Sequence, residues 1–201
     1  MHKLNVVHGN LKSVCSFHCL PSGRTLTFLQ TNVLIDPGGH AYVAGLGTAP
    51  LSPTGPGVDI DRFSCGTAPE LVDPQRFGSS SIGATKASDM YAFAILSWEV
   101  SIEFVARLWR VAKWDCSPKI LAGQVPFSNE CRIAAVFSML GGRRPARPNH
   151  PELSNRLWRM IEGCWKVDPT QRKTITKVVA VLEAGVAARR SRSRLLYRNR
   201  T

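Results

Sequence analysis

The sequence predicts a mainly α-helical domain with a few short β-strands near its start. Three observations predict it. Short apolar runs broken by turn residues fill the N-terminal part, and from Lys86 onward apolar residues recur at helical spacing. The 201 residues are 44% hydrophobic and 20% charged, the composition of one globular core and not of a disordered chain.

Val6–Val7, Val33–Ile35 and Ala41–Ala44 read as brief strands, with the PGG turn at 37 to 39 between the last two. LSPTGPGVDI at 51 to 60 reads as an exposed loop. TKASDMYAFAILSWEV is apolar nearly all round after Asp89, which suits a buried central helix over 86 to 99. GGRRPARPNHPELS is a second loop. SNRLWRMIEGCW then opens with Ser154 as N-cap and sets Leu157, Met160, Ile161 and Cys164 on one helical face. DPTQRKTITKVVAVLEAG predicts a last helix from about Thr174 to Ala184, with Gly185 as its stop.

The net charge is +12, and Arg189, Arg190, Arg192, Arg194, Arg198 and Arg200 crowd the end of the chain. Residues 186–201 therefore read as a basic Arg-rich tail. It is a solvated, disordered tail or a weak contact for nucleic acid or an acidic membrane surface, made through Arg189, Arg190, Arg192 and Arg194. The first is favoured, since no aromatic-rich groove accompanies the run. Six cysteines without regular spacing or a secretory signal suggest a reducing compartment, cytoplasmic or nuclear. Cys15, His18 and Cys19 lack a second ligand pair at zinc-finger spacing. No apolar run approaches the roughly 18 to 20 residues of a membrane span.

HGNLK at 8 to 12, TNVLID at 31 to 36, AGLG at 44 to 47, APE at 68 to 70, SDMYAFA at 88 to 94, QVPF at 124 to 127 and GCWKVDPTQRKT at 163 to 174 follow one another in a telling order. In that order they resemble the landmarks of a eukaryotic protein kinase of the tyrosine-kinase-like class, over most of residues 1 to 185. The resemblance begins at the catalytic loop. The Gly-rich phosphate loop, the strand Lys, its helix Glu and the hinge have no counterpart, so it implies a protein-kinase-like C-terminal lobe with the N-lobe absent.

The resemblance also assigns roles. Asn10 stands where the family's catalytic Asp takes the substrate's proton, and an amide has no basic oxygen for it. Gly45 stands at the metal-binding Asp and offers no side-chain oxygen. Asn32 matches the second metal ligand, Lys12 the Lys that steadies the transferred phosphate, and Leu34 the apolar floor under adenine. Glu70 and Arg172 match a family ion pair, and Asp89 matches a helix residue that accepts hydrogen bonds from the catalytic-loop backbone. Trp98, Trp158 and Trp165 are expected in the core. ATP and magnesium are implied by the family alone, and neither is expected to bind here.

Two segments interrupt the family spacing, which Val14–Gln30 and Val100–Lys119 exceed. Each starts with a codon of the form GTN and ends with one that can read CAG or AAG, so both are read as translated introns. Genuine loop insertions are the alternative, and the second segment has apolar residues that could lengthen the helix before it.

Three functions follow. The first is a catalytically inactive kinase-like domain, a pseudokinase whose role is at most to bind an unknown protein partner. The second is an active Ser/Thr or Tyr kinase whose gene model is incomplete. The third is a binder of nucleic acid or membrane surface through the Arg-rich tail.

Overall fold

The computed structural model describes residues 1–11, 16–19, 26–29, 32–35, 41–45, 64–78, 83–112, 127, 129–149 and 153–198. Among the described residues, four short strands lie in the N-terminal part: β1 (Ser16–Cys19), β2 (Leu26–Leu29), β3 (Val33–Ile35) and β4 (Ala41–Val43). They form two antiparallel pairs. β1 joins β2 with Ser16 opposite Leu29 and Cys19 opposite Leu26, and β3 joins β4 with Leu34 opposite Tyr42. The second pair is the hairpin expected from the apolar runs. The first lies inside Val14–Gln30, so that interrupting segment pairs with itself.

Val6–Val7 is not a strand. The backbone donors beside it are taken elsewhere: Val6 N–H goes to the Met1 carbonyl, and the His8 and Gly9 N–H groups go to the Asp89 side chain. A strand needs those donors for its ladder.

Among the described residues, five α-helices follow: α1 (Pro69–Val72), α2 (Lys86–Ala112), α3 (Arg132–Leu140), α4 (Asn155–Cys164) and α5 (Ile175–Arg198). The chain among its described residues is mostly helical. Helix α2 is the axis of the core. It is opened by a reciprocal cap, in which Thr85 N–H donates to Ser88 Oγ at 2.8 Å and Ser88 N–H donates to Thr85 Oγ1 at 3.1 Å. Met90, Tyr91, Ala94, Ile95 and Trp98 on it are buried, each large apolar side chain contributing roughly 1.5 to 3 kcal/mol. The helix does not stop at residue 99 but runs on to Ala112, as the apolar pattern of the second interrupting segment allowed.

Helix α4 packs on α2 through Met160, Ile161 and Cys164. Its start is the expected one, with Ser154 Oγ accepting from Leu157 N–H at 3.2 Å. Trp98 and Trp165 are buried. Trp158 is only partly so, standing edge-on to Trp165 with ring centroids 5.5 Å apart. Helix α5 anchors through Val178 and continues past Gly185 to Arg198. A single Gly costs a helix only about 1 kcal/mol, and the Ala and Arg residues after it are good helix formers. The expected stop is therefore overridden.

Candidate functional site

The site is built around Asp89, in the first turn of α2, where a carboxylate sits well against the helix dipole. It is 3% exposed, and both its carboxylate oxygens are hydrogen-bonded. Its Oδ2 accepts the His8 N–H at 2.8 Å and a bond from His2 Nε2, also at 2.8 Å; its Oδ1 accepts the Gly9 N–H at 2.8 Å. Gly9 has φ 72, a backbone conformation that suits glycine and turns its N–H toward the carboxylate. The expectation for Asp89 is thus met in detail. His2 was not anticipated, because no spacing rule ties it to a residue 87 positions away.

His8 is 2% exposed and carries the next link. Asn10 N–H donates to His8 Nδ1 at 3.2 Å, so the ring proton belongs on Nε2, which donates to the Ala44 carbonyl at 2.7 Å. This brings the 8–10 loop against the 44–45 turn. Asn32, 7% exposed, closes the group. Its backbone carbonyl accepts the Ala44 N–H at 2.9 Å, and its side-chain Nδ2 donates to the Asn10 carbonyl.

Of the sequence-derived site residues, Asn10, Asn32 and Gly45 are therefore brought together. Leu34 lies on β3, and its side chain falls outside the described residues. Lys12 falls outside them altogether, as do Gln124, Val125 and Pro126. Arg189, Arg190, Arg192 and Arg194 belong to α5 by backbone, with side chains outside the description. No three His, Cys, Asp or Glu side chains among the described residues converge as a metal-holding group. No described helix is long and apolar enough to cross a membrane.

A second polar centre supports the first. The turn at Asp168 caps itself, accepting from Thr170 Oγ1 at 2.7 Å, Thr170 N–H at 2.8 Å and Gln171 Nε2 at 3.0 Å. Those bonds, the Thr170 hydroxyl foremost, hold its carboxyl below the usual range. The turn delivers Arg172 into the interior. There Nη1 and Nη2 meet Glu70 Oε1 and Oε2 at 2.7 and 2.6 Å. The remaining donors reach the carbonyls of Lys166, Ala87 and Val167 at 2.8, 2.9 and 3.2 Å. All five guanidinium N–H groups are used. Tyr91 lies beside this pair, with Arg172 5.1 Å and Arg144 5.2 Å from its ring centroid.

No family model matches the chain. Curated proteins do. The chain is 22% identical over 178 residues to the human "Receptor-interacting serine/threonine-protein kinase 4", covering 86% of this chain and 19% of that protein. It is 28% identical over 121 residues to the Dictyostelium discoideum "Probable serine/threonine-protein kinase drkC", 60% of this chain and 12% of that one. It is 26% identical over 95 residues to the mouse "Tyrosine-protein kinase TXK", 47% of this chain and 14% of that one. The chain spans about a fifth of the length of the first of these relatives. These distant likenesses and the mostly helical fold together describe a protein-kinase-like domain.

Proposed function

We propose that this protein-kinase-like domain, equivalent to the family's C-terminal lobe, does not transfer phosphate and works by binding another protein. One observation carries the proposal: Asn10 and Gly45 stand where the family has its proton-accepting and magnesium-holding carboxylates. Loss of a general base alone costs about 10² to 10⁴ in rate. A missing magnesium ligand removes charge stabilisation at a different step. The scaffold bonds of Asp89, and of Glu70 with Arg172, support the view that the fold was kept while the chemistry was lost. Neither ATP nor magnesium is a proposed ligand.

The test is direct. The purified chain, and its Asn10→Asp variant, should show no ATP-dependent phosphorylation and no magnesium-dependent thermal shift with ATP. Phosphotransfer that disappears in Lys12→Ala would instead support the second reading, an active Ser/Thr or Tyr kinase with an incomplete gene model. That reading is favoured by the kinase names of the relatives and by Lys12 and Asn32 at family positions. Binding to DNA or anionic vesicles that weakens steeply with salt would point to the Arg-rich end of the chain.

A further inference from the structure

We infer that Asn32 is a structural latch and not a metal ligand, and that its amide closes the space a carboxylate at position 45 would need. This deepens the inactive-kinase proposal and rests on it. Gly45 has φ 74, and a Cβ placed on it would run into Asn32 Oδ1 and stand 2.7 Å from Cγ and 3.3 Å from Nδ2. Contacts that short require something to move. The end of a flexible side chain ordinarily swings aside at little cost. Asn32 is buried, however, and its Nδ2 is committed to the Asn10 carbonyl. Swinging it away breaks that bond in a place where water does not easily replace it.

The backbone does not impose the restriction by itself. Asp is among the residues that best tolerate positive φ, so it is the occupied space that excludes it. The two positions that hold metal in the family have therefore collapsed onto each other. The side chain of one fills the base of the other, and the residues present do not fit a magnesium ion. In exchange, Asn32 ties the 8–10 loop to the 44–45 turn through its side chain on one side and its carbonyl, which accepts from Ala44, on the other. Returning Asp to position 45 would crowd the latch without restoring the ion.

Thermal unfolding and Mn²⁺ binding on a small set of variants test this. Gly45→Ala should lower Tm by about 8 °C in the native background, the sum of a clash and of Ala at positive φ. In the Asn32→Ala background the same change should cost only about 4 °C, the part due to φ. Equal drops in the two backgrounds would overturn the inference. If Gly45→Ala fails to fold, the double variant should recover soluble protein; failure of both, with Asn32→Ala folded, counts against the latch. Gly45→Asp should bind Mn²⁺ no better than the native chain, and stoichiometric binding by it would sink the inference while leaving the native chain's inactivity standing. Phosphotransfer by the native chain would do the reverse, since the thermal coupling does not depend on activity.

Discussion

Arg172 and Glu70 meet in a two-pronged ion pair across 102 positions of sequence, with Nη1 to Oε1 at 2.7 Å and Nη2 to Oε2 at 2.6 Å. Both side chains are almost fully buried, at 1% and 9% exposure. The pair joins α1 to the turn that precedes α5, and through the Ala87 carbonyl it also touches the start of α2. Removing Glu70 strands a guanidinium that still holds three carbonyls but has lost its counter-charge. Glu70→Ala should therefore cost about 3 to 5 kcal/mol in urea unfolding. That is a large share of the roughly 5 to 15 kcal/mol a domain has. Replacing both partners by apolar residues of like volume should cost much less. A Glu70→Ala loss below about 1 kcal/mol would show the pair is not buried in solution.

Asp89 should be equally costly to lose, for a different reason. Asp89→Ala frees the N–H groups of His8 and Gly9, and hydrogen bonds to a charged group are worth about 1.5 to 3 kcal/mol each. Amide hydrogen exchange at these two positions should accelerate well beyond the global change. His2→Ala should produce a milder, local version of the same effect. Unchanged protection at His8 and Gly9 in Asp89→Ala would contradict the anchoring role.

Tyr91 offers the opposite case. Its ring is fully buried, and its hydroxyl has no hydrogen-bond partner among the described residues. Tyr91→Phe keeps the ring between Arg144 and Arg172 and removes an uncompensated polar atom. Stability should stay level or rise by up to about 1 kcal/mol. A clear loss would mean that the hydroxyl is hydrogen-bonded in solution.

The alkaline limit of stability follows from the same burial. Burial pushes the Tyr91 hydroxyl up to about 12, although Arg144 and Arg172 pull it down, and pushes the thiols of Cys65 and Cys164 up to about 11. Each folded value lies above its unfolded one, 9.0 for a thiol and 10.0 for a phenol, so the unfolded chain releases these protons first as pH rises. Their contribution is whole below pH 9 and is lost progressively toward pH 12. Tm should fall across that window, and less steeply above pH 10 in Tyr91→Phe. Iodoacetamide at pH 8 should label exposed Cys131 of the folded chain and spare buried Cys164.

What could be read from the residues was mostly local or carried by a long pattern. Helix α4 was legible because Ser154 and the apolar spacing of Leu157, Met160, Ile161 and Cys164 agree with one another. Asp89, Glu70 and Arg172 were legible through the family resemblance alone; nothing in spacing joins positions 70 and 172. The misses share a cause. Val6–Val7 has strand propensity, but its neighbours' donors are claimed by a carboxylate some eighty positions on. Gly185 carries a stop signal that better helix formers on either side outweigh. The crowding of Asn32 against Gly45 was invisible because it depends on which way one buried amide points. Role assignment from the family named both residues and could not foresee that they exclude each other.

The anchoring of the 8–10 loop on Asp89 also has a temporal side. Protein synthesis adds about 5 to 20 residues per second, so the loop waits roughly 4 to 16 seconds on the ribosome before its carboxylate has even been made. For that interval His8, buried in the finished fold, stays in water, and the backbone donors around it are open to other partners. The helix that carries Asp89 must then nucleate before it can capture them. This polar corner of the domain is thus begun early and completed late, and a nascent chain halted near residue 85 would emerge with its 8–10 loop unanchored.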